Sequence, residues 1–369
     1  MSPRRPTPLL SFPGLEMQRR PPLDTSHSPT YAFDELQTQT KRWYHYLPLC
    51  LTVLLILAPH PSLLYMLVDF HLLTMHQTVM FGVHLICTYT LTFMALSSLI
   101  ICVVRDPGPV VSIPSRGGDE DGEMGLTEAL MPDIDLDAPG KWCRQCWAPK
   151  PERAHHCSMC GRCVLKMDHH CPWLGSVCIG HRTYPAFVHF LCCITLLAVY
   201  IAVISIKALW YAFNNPLAVN EMTPVHELCL SFAGLVATLV IGSFASYHIY
   251  LVSINQTTLE NITPFMLLRH LPPLPRSGHS LSDPPLEPEL SYEQRRLVKD
   301  AHGAVRLYDV GLRKNWDQIF GWNTKLGWLY RLWCGGATQG DGRNFPRNPR
   351  ADEMLARLAT ELVKVDRNL

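Results

Sequence analysis

Charge is scarce in this chain. Only 17% of its 369 residues are charged, and the formal net charge is +1. A balance this close to neutral offers no bulk electrostatic attraction for nucleic acid, which is excluded as a partner on that ground. There is no internal repeat, no ankyrin pattern and no Walker-type phosphate loop. No secretory signal stands at the start: residues 1–42 are polar and rich in Pro, Arg and Ser, and they predict a disordered arm. Lys and Arg are missing altogether from two short stretches, 69–77 and 212–228.

What is present in quantity is apolar. Hydrophobic residues make up 48% of the chain, and the mean hydropathy of +0.07 is high for a soluble enzyme. Four apolar spans stand out, at about 47–68, 78–104, 185–209 and 229–251. Crossing the hydrocarbon takes about 20 residues, and four such segments with almost no internal charge exclude a soluble bundle. Pro59 and Pro61 interrupt the first span and predict a kink near its far end. The two stretches without Lys or Arg are the short loops on one side. The basic residues collect in the N-terminal arm, in 105–183 and in the C-terminal region. By the positive-inside rule both termini and the 105–183 segment are expected to be cytosolic. Lys207, at the far end of the third span, can reach the interface. The sequons at Asn255 and Asn261 then face the cytosol and are expected to stay unmodified.

Half of the 14 cysteines fall between positions 143 and 178. The run reads Cys143, Cys146, His156, Cys157, Cys160, Cys163, Asp168, His169, His170, Cys171, Cys178. Cytosolic thiols are reduced, so metal binding or catalysis is favoured over disulfides. Structural zinc takes four Cys or His ligands, and a CxxC turn presents two sulfurs together. A nucleophilic Cys needs a base, and the base needs an orienting carboxylate. Asp168, His169 and Cys171 supply these three types within one tetrapeptide. With Cys171 reserved, six cysteines plus His156 and His170 remain, enough for two closed zinc sites with no ligand position left for a catalytic water.

This run resembles the cysteine-rich domain of the DHHC protein S-acyltransferases (palmitoyltransferases), and the chain looks like a fungal type of member without ankyrin repeats. Further motifs follow in the family's order. Asp106-Pro107-Gly108 comes after the second span, Thr257-Thr258-Leu259-Glu260 after the fourth, and Asn315 to Gly321 resembles the C-terminal Asn/aromatic motif, with Asn315 and Phe320 as its anchors. The resemblance covers roughly residues 43–330. It implies an interleaved zinc split: Cys143, Cys146, His156 and Cys163 at one structural zinc, and Cys157, Cys160, His170 and Cys178 at the other. His155 is left without a ligand role. The resemblance also implies that Asp168 orients, that His169 is the base and that Cys171 is the nucleophile. By the same resemblance, Thr258 is expected to orient Asp168, Trp173 to cover the thioester end of the co-substrate, and Leu197 on the third span to lie near the end of an acyl cavity. Two departures occur. Six residues, Pro172 to Val177, separate Cys171 from Cys178 where the family has five, and Thr183 stands in place of an Asn. Gly175 can absorb the extra residue as a bulge or loop.

The expected architecture is an all-α polytopic membrane protein, with four transmembrane helices and a small cytosolic two-zinc domain between helices 2 and 3. Its expected parts are the arm 1–42, helices 1 and 2 with the DPG turn (43–111), an acidic flexible linker (112–140), the zinc domain (141–183), helices 3 and 4 with the TTxE motif (184–265) and a cytosolic C-terminal region (266–369). Within that region, Met354, Leu358, Leu362 and Val365 share one helical face that could lie on the membrane or on the protein. The expected reaction is protein S-palmitoylation. Palmitoyl-CoA or another long-chain acyl-CoA loads Cys171, and the acyl group then passes to cytosol-facing cysteines of protein substrates. Each buried CH2 is worth about 0.8 kcal/mol, so the chain favours an apolar cavity between the spans in the lipid bilayer. The expected location is an endomembrane (Golgi, ER or vacuole). The alternatives are a catalytically idle zinc-binding membrane scaffold and a membrane-anchored ubiquitin ligase, which would use every Cys and His as a ligand.

Overall fold

The computed structural model describes residues 42–110, 142–146, 148–274, 280–321 and 338–367, with positions 331, 333, 335 and 336 between the last two stretches. The expectations for residues 1–41 and for the acidic linker fall outside the described residues.

Among the described residues, four helical runs are long and apolar enough to cross a membrane: Trp43–Thr74, Thr78–Val104, Tyr184–Asn214 and Thr223–Ser253. The first is composite, with α1 (Leu47–Leu57) followed by α2 (Pro59–Leu67) and a π-helical turn at Val68–Thr74. The expected interruption at the prolines falls at mid-run and not near the far end. Pro59 and Pro61 sit at mid-run, and Ala58 keeps helical angles (φ −57°, ψ −33°) with its N–H bonded to Leu54 O at 2.7 Å. Both prolines fall in the first turn of α2, where a missing N–H costs least. α3 is Thr78–Val104. α4 (Tyr184–Asn214) and α5 (Thr223–Ser253) each run several residues beyond the apolar stretch read from composition. α4 is the most enclosed, and its Ala202 meets α5 at Gly234, where a Cβ would lie 3.0 Å from Ala202 Cβ. Small residues allow this close approach where helices cannot be driven together by water.

Between α3 and α4 the described residues form three short antiparallel hairpins: β1 (Trp142–Cys143) with β2 (Ala148–Pro149), β3 (His155–Cys157) with β4 (Arg162–Val164), and β5 (His169–Cys171) with β6 (Val177–Ile179). The DPG turn docks on this module. Asp106 Oδ1 accepts from Gly108 N at 2.8 Å, and its Oδ2 accepts from Arg162 at 2.7 Å. Pro107 O and Gly108 O accept from Arg182 N (3.1 Å) and Leu165 N (2.8 Å). Gly108 has φ +111°, and Gly180 lies so close that a Cβ would come within 2.6 Å of Val164 Cγ1.

After α5 follow α6 (Thr258–Ile262), α7 (Tyr292–Ala304), α8 (Leu312–Phe320) and α9 (Pro349–Arg367). α9 packs on the protein. Its buried stripe is Ala351, Leu355, Leu358, Ala359, Leu362 and Val363; the last four pack with Leu268, Leu274, Leu281, Leu290 and Val298, and Ala351 and Leu355 with Leu267, Val305, Leu307 and Tyr308. The expected face is thus rotated, with Met354 and Val365 at its half-buried edges. The Pro-rich stretch after 271 supplies three of those core leucines.

Candidate active site and metal centres

Strand alternation explains how one short run serves two metal sites. Neighbouring residues of a strand point to opposite faces. In the central hairpin His156 lies opposite Cys163 and both go to one face, while Cys157 turns to the other. Cys143 and Cys146 of the first hairpin complete one cluster. The other takes Cys157 and Cys160, then His170 and Cys178, which again face each other across a hairpin. In each cluster the four ligand atoms lie within 4.8 Å of one another.

The donor sets fit zinc. Bond lengths of about 2.3 Å to sulfur and 2.0 Å to nitrogen imply tetrahedral S–N edges of roughly 3.5 Å. His156 Nδ1 is 3.5, 3.1 and 3.9 Å from the sulfurs of Cys143, Cys146 and Cys163. His170 Nδ1 is 3.6, 3.4 and 3.8 Å from those of Cys157, Cys160 and Cys178. His170 Nε2 pairs with Ser176 Oγ at 2.9 Å, which frees Nδ1 for a metal. Ser176 belongs to the lengthened 172–177 loop. That loop makes a 3₁₀ turn at Pro172–Leu174, then takes two left-handed residues, Gly175 (φ +80°) and Ser176 (φ +54°), before entering β6. His155, outside both clusters, is half-buried on β3.

The same alternation separates the candidate catalytic residues from the metal ligands. On β5, His170 faces the metal cluster, so His169 and Cys171 share the opposite face, which packs on the helices. Cys171 is buried with Leu99, Cys102, Leu174, Phe187 and Leu191. His169 stacks edge-on to Phe187 of α4 at 5.1 Å and lies 6.1 Å from His248 of α5, which pairs with Tyr184 Oη at 3.2 Å. His169 Nδ1 donates to Asp168 Oδ2 at 2.7 Å, so Nε2 is left for the thiol. Asp168 also accepts from Thr258 N at Oδ1 and Thr258 Oγ1 at Oδ2, both at 2.8 Å. Burial works against an imidazolium at His169, yet the hydrogen bonds to Asp168 and to Cys171 prevail and raise its pKa to about 9. Burial likewise pushes Asp168 up, but His169 outweighs it and the carboxyl is held below its ordinary value.

The remaining predicted residues divide between this site and its supports. Thr257 and Glu260 close a capping box at the start of α6. Asn315, fully buried, donates to Ser253 O at 2.7 Å and Asp309 at 2.8 Å, and accepts from Val310 N, tying α8 to the end of α5. Phe320 stacks on Trp316 at 5.5 Å beside the core that holds Cys171. Trp173 is 54% exposed, its carbonyl bonded to Thr52 of α1 at 3.2 Å. Leu197 is buried in a separate, deeper cluster with Leu63, Met66, Leu67 and Ile201. Thr183, in the Asn position, accepts from Gly180 N at 3.1 Å. Sequence reading missed Arg153, Asn255, Tyr184 and His248. A histidine inside an apolar span was the available signal for His248, whereas Asn255 was read only as a sequon. Asn255 is buried, with its side chain bonded to Arg153, Tyr308 O and Gln318.

Four membrane-long helices joined through a module with two Cys3His clusters define a polytopic, zinc-binding type of membrane protein. Residues 137–264 match the family model described as DHHC palmitoyltransferase. It is similar to palmitoyltransferase pfa3 of Emericella nidulans (37% identical, over 46% of this chain and 34% of that protein). It is similar also to palmitoyltransferase ZDHHC15 of Xenopus laevis (32%, over 60% and 54%) and palmitoyltransferase PFA3 of Gibberella zeae (42%, over 39% and 26%). The chain thus spans between 26% and 54% of the length of these three relatives.

Proposed function

We propose that this chain is a protein S-acyltransferase working in two steps through Cys171. His169 Nε2 takes the thiol proton, and Asp168 stabilises the imidazolium that forms. The thiolate attacks the thioester carbonyl of a long-chain acyl-CoA, the C–S bond to CoA breaks, and the CoA thiolate leaves with the proton. A thiol of a protein substrate then attacks the acyl-enzyme, and Cys171 is regenerated as its own thioester breaks. Thioester-to-thiol exchange is nearly isoenergetic, so the work is deprotonation and positioning. Zinc, held by the two Cys3His sets, would supply rigidity to a module that has almost no core of its own.

The observation that carries this reading is the arrangement of His169 and Cys171 on β5 with Asp168 just before it; the intervening His170 belongs to a metal cluster and the opposite face abuts the apolar bundle. The distribution of Lys and Arg supports a cytosolic module and cytosolic termini, hence substrates with cytosol-facing cysteines. An acyl chain would run between the spans toward Leu197, ten residues beyond Phe187 on α4, or about 15 Å along the axis. Endomembrane residence is proposed with it. The test is acyl-enzyme trapping: palmitoyl-CoA should give a hydroxylamine-sensitive label that Cys171→Ser abolishes. An idle scaffold would take no label. Label persisting in Cys171→Ser would move the nucleophile to another cysteine.

A further inference from the structure

We infer that Arg153 is a positioning residue for the catalytic carboxylate, acting on Asp168 from both sides without touching the reacting atoms. Its side chain is completely buried. The guanidinium holds Glu260 with two prongs, Nε to Oε1 at 2.6 Å and Nη2 to Oε2 at 2.8 Å. Two further N–H groups donate to Asn255, at Oδ1 (3.1 Å) and O (2.9 Å). The rings of Tyr308 and Phe345 lie over it at 4.2 and 4.9 Å. All this is arranged on a backbone at φ +62°, a conformation unfavourable for any residue with a side chain.

Two lines run from this residue to Asp168. Through the backbone, Arg153 O accepts from Met167 N at 3.1 Å, which pins the residue immediately before Asp168. Through the side chain, Glu260 is fixed by the fork and in turn accepts from Thr257 N at 2.9 Å, while Glu260 N donates to Thr257 Oγ1 at 3.2 Å. That reciprocal cap orients the first turn of α6, whose Thr258 delivers its N–H and hydroxyl to the two oxygens of Asp168. α6 is only five residues long and cannot define its own start. The spacing between Thr258 and Asp168 is therefore set by Arg153, which grips the segment leading to each. A lysine would keep the charge and lose the planar fork that makes the grip directional.

The inference rests on the proposed transfer through Cys171, and a double-mutant cycle separates the two. Initial rates of Cys171 loading from palmitoyl-CoA are measured for the unaltered chain, for Arg153→Lys, for Asp168→Asn and for the double variant, with zinc content determined on each. Arg153→Lys should keep its zinc and the apparent KM for palmitoyl-CoA, and load about 10- to 100-fold more slowly, the size expected for a small misplacement. In the Asp168→Asn background the same substitution should cost less than about twofold, because the group it positions is already impaired. Multiplicative losses, or unchanged loading in Arg153→Lys, would overturn the role. If Arg153→Lys does not accumulate with zinc, Glu260→Gln enters the same cycle and the same criteria apply. No label on the unaltered chain would overturn the acyl-transfer reading itself, and this inference with it.

Discussion

Thr258→Val tests how much of catalysis depends on holding Asp168 still. Asp168 is 1% exposed and accepts three hydrogen bonds, two from Thr258 and one from His169. Valine has the shape of threonine and leaves the Thr258 N–H contact to Oδ1 in place, so the change removes one interaction, the 2.8 Å hydroxyl donation to Oδ2. A hydrogen bond to a charged group contributes about 1.5–3 kcal/mol. Oδ2 is also the atom that receives His169 Nδ1. Its loss of a second donor frees the carboxylate to rotate and to draw the imidazole away from Cys171. Acyl loading should fall about 10- to 100-fold, while the metal clusters, which share no atom with Thr258, keep their zinc. The assay is the initial rate of hydroxylamine-sensitive labelling with an alkynyl palmitoyl-CoA, alongside elemental analysis. Loading within twofold of the unaltered protein, at full zinc content, would refute the reasoning.

Other outcomes follow from the same geometry. The purified chain should hold two zinc ions; Cys160→Ala should lose metal and Cys171→Ser should keep both, as read by elemental analysis. His169→Ala should slow loading by about 10²- to 10⁴-fold, the usual cost of losing a general base, in the same labelling assay. Gly180→Ala would place a Cβ 2.6 Å from Val164 Cγ1 and 2.9 Å from Leu165 O; overpacking of this kind costs about 1–3 kcal/mol, and a lowered thermal midpoint should report it. Burial pushes Glu260 up, but Arg153 prevails and holds it below its usual 4.5. A depressed carboxylate stabilises the fold fully above the unfolded pKa and loses that contribution as pH falls through the folded one. Thermal midpoints taken from pH 7 down to pH 3 should therefore fall less steeply below about 4.5 in Glu260→Gln than in the unaltered chain.

Four spans, the DPG and TTxE segments and the cysteine-rich run could all be read in the chain because each is a local signal. A span is a count of apolar residues, and a zinc half-site is a spacing of Cys and His. The middle of the first span was harder to read. Proline usually breaks a helix, and here α1 ends at Leu57 while Pro59 and Pro61 fall in the opening turn of α2, which follows after the single residue Ala58. The face of α9 was offset for a similar reason: Met354 and Val365 count as apolar, yet the small Ala351 and Ala359 are what fit against the neighbouring core.

By itself, then, the sequence determined the helical membrane class, the donor atoms and the tetrapeptide, because these depend on residue type and spacing along one strand of chain. Only the tertiary structure decided which residues stand behind them. Arg153 and Glu260 are 107 positions apart and meet at 2.6 Å; Thr258, which reaches Asp168 across 90 positions, was anticipated through the family resemblance and not from spacing. His248 lies in an apolar helix that periodicity describes only as a span. A buried polar group needs its partner wherever the fold brings one, and a partner so distant leaves no periodic trace in the sequence.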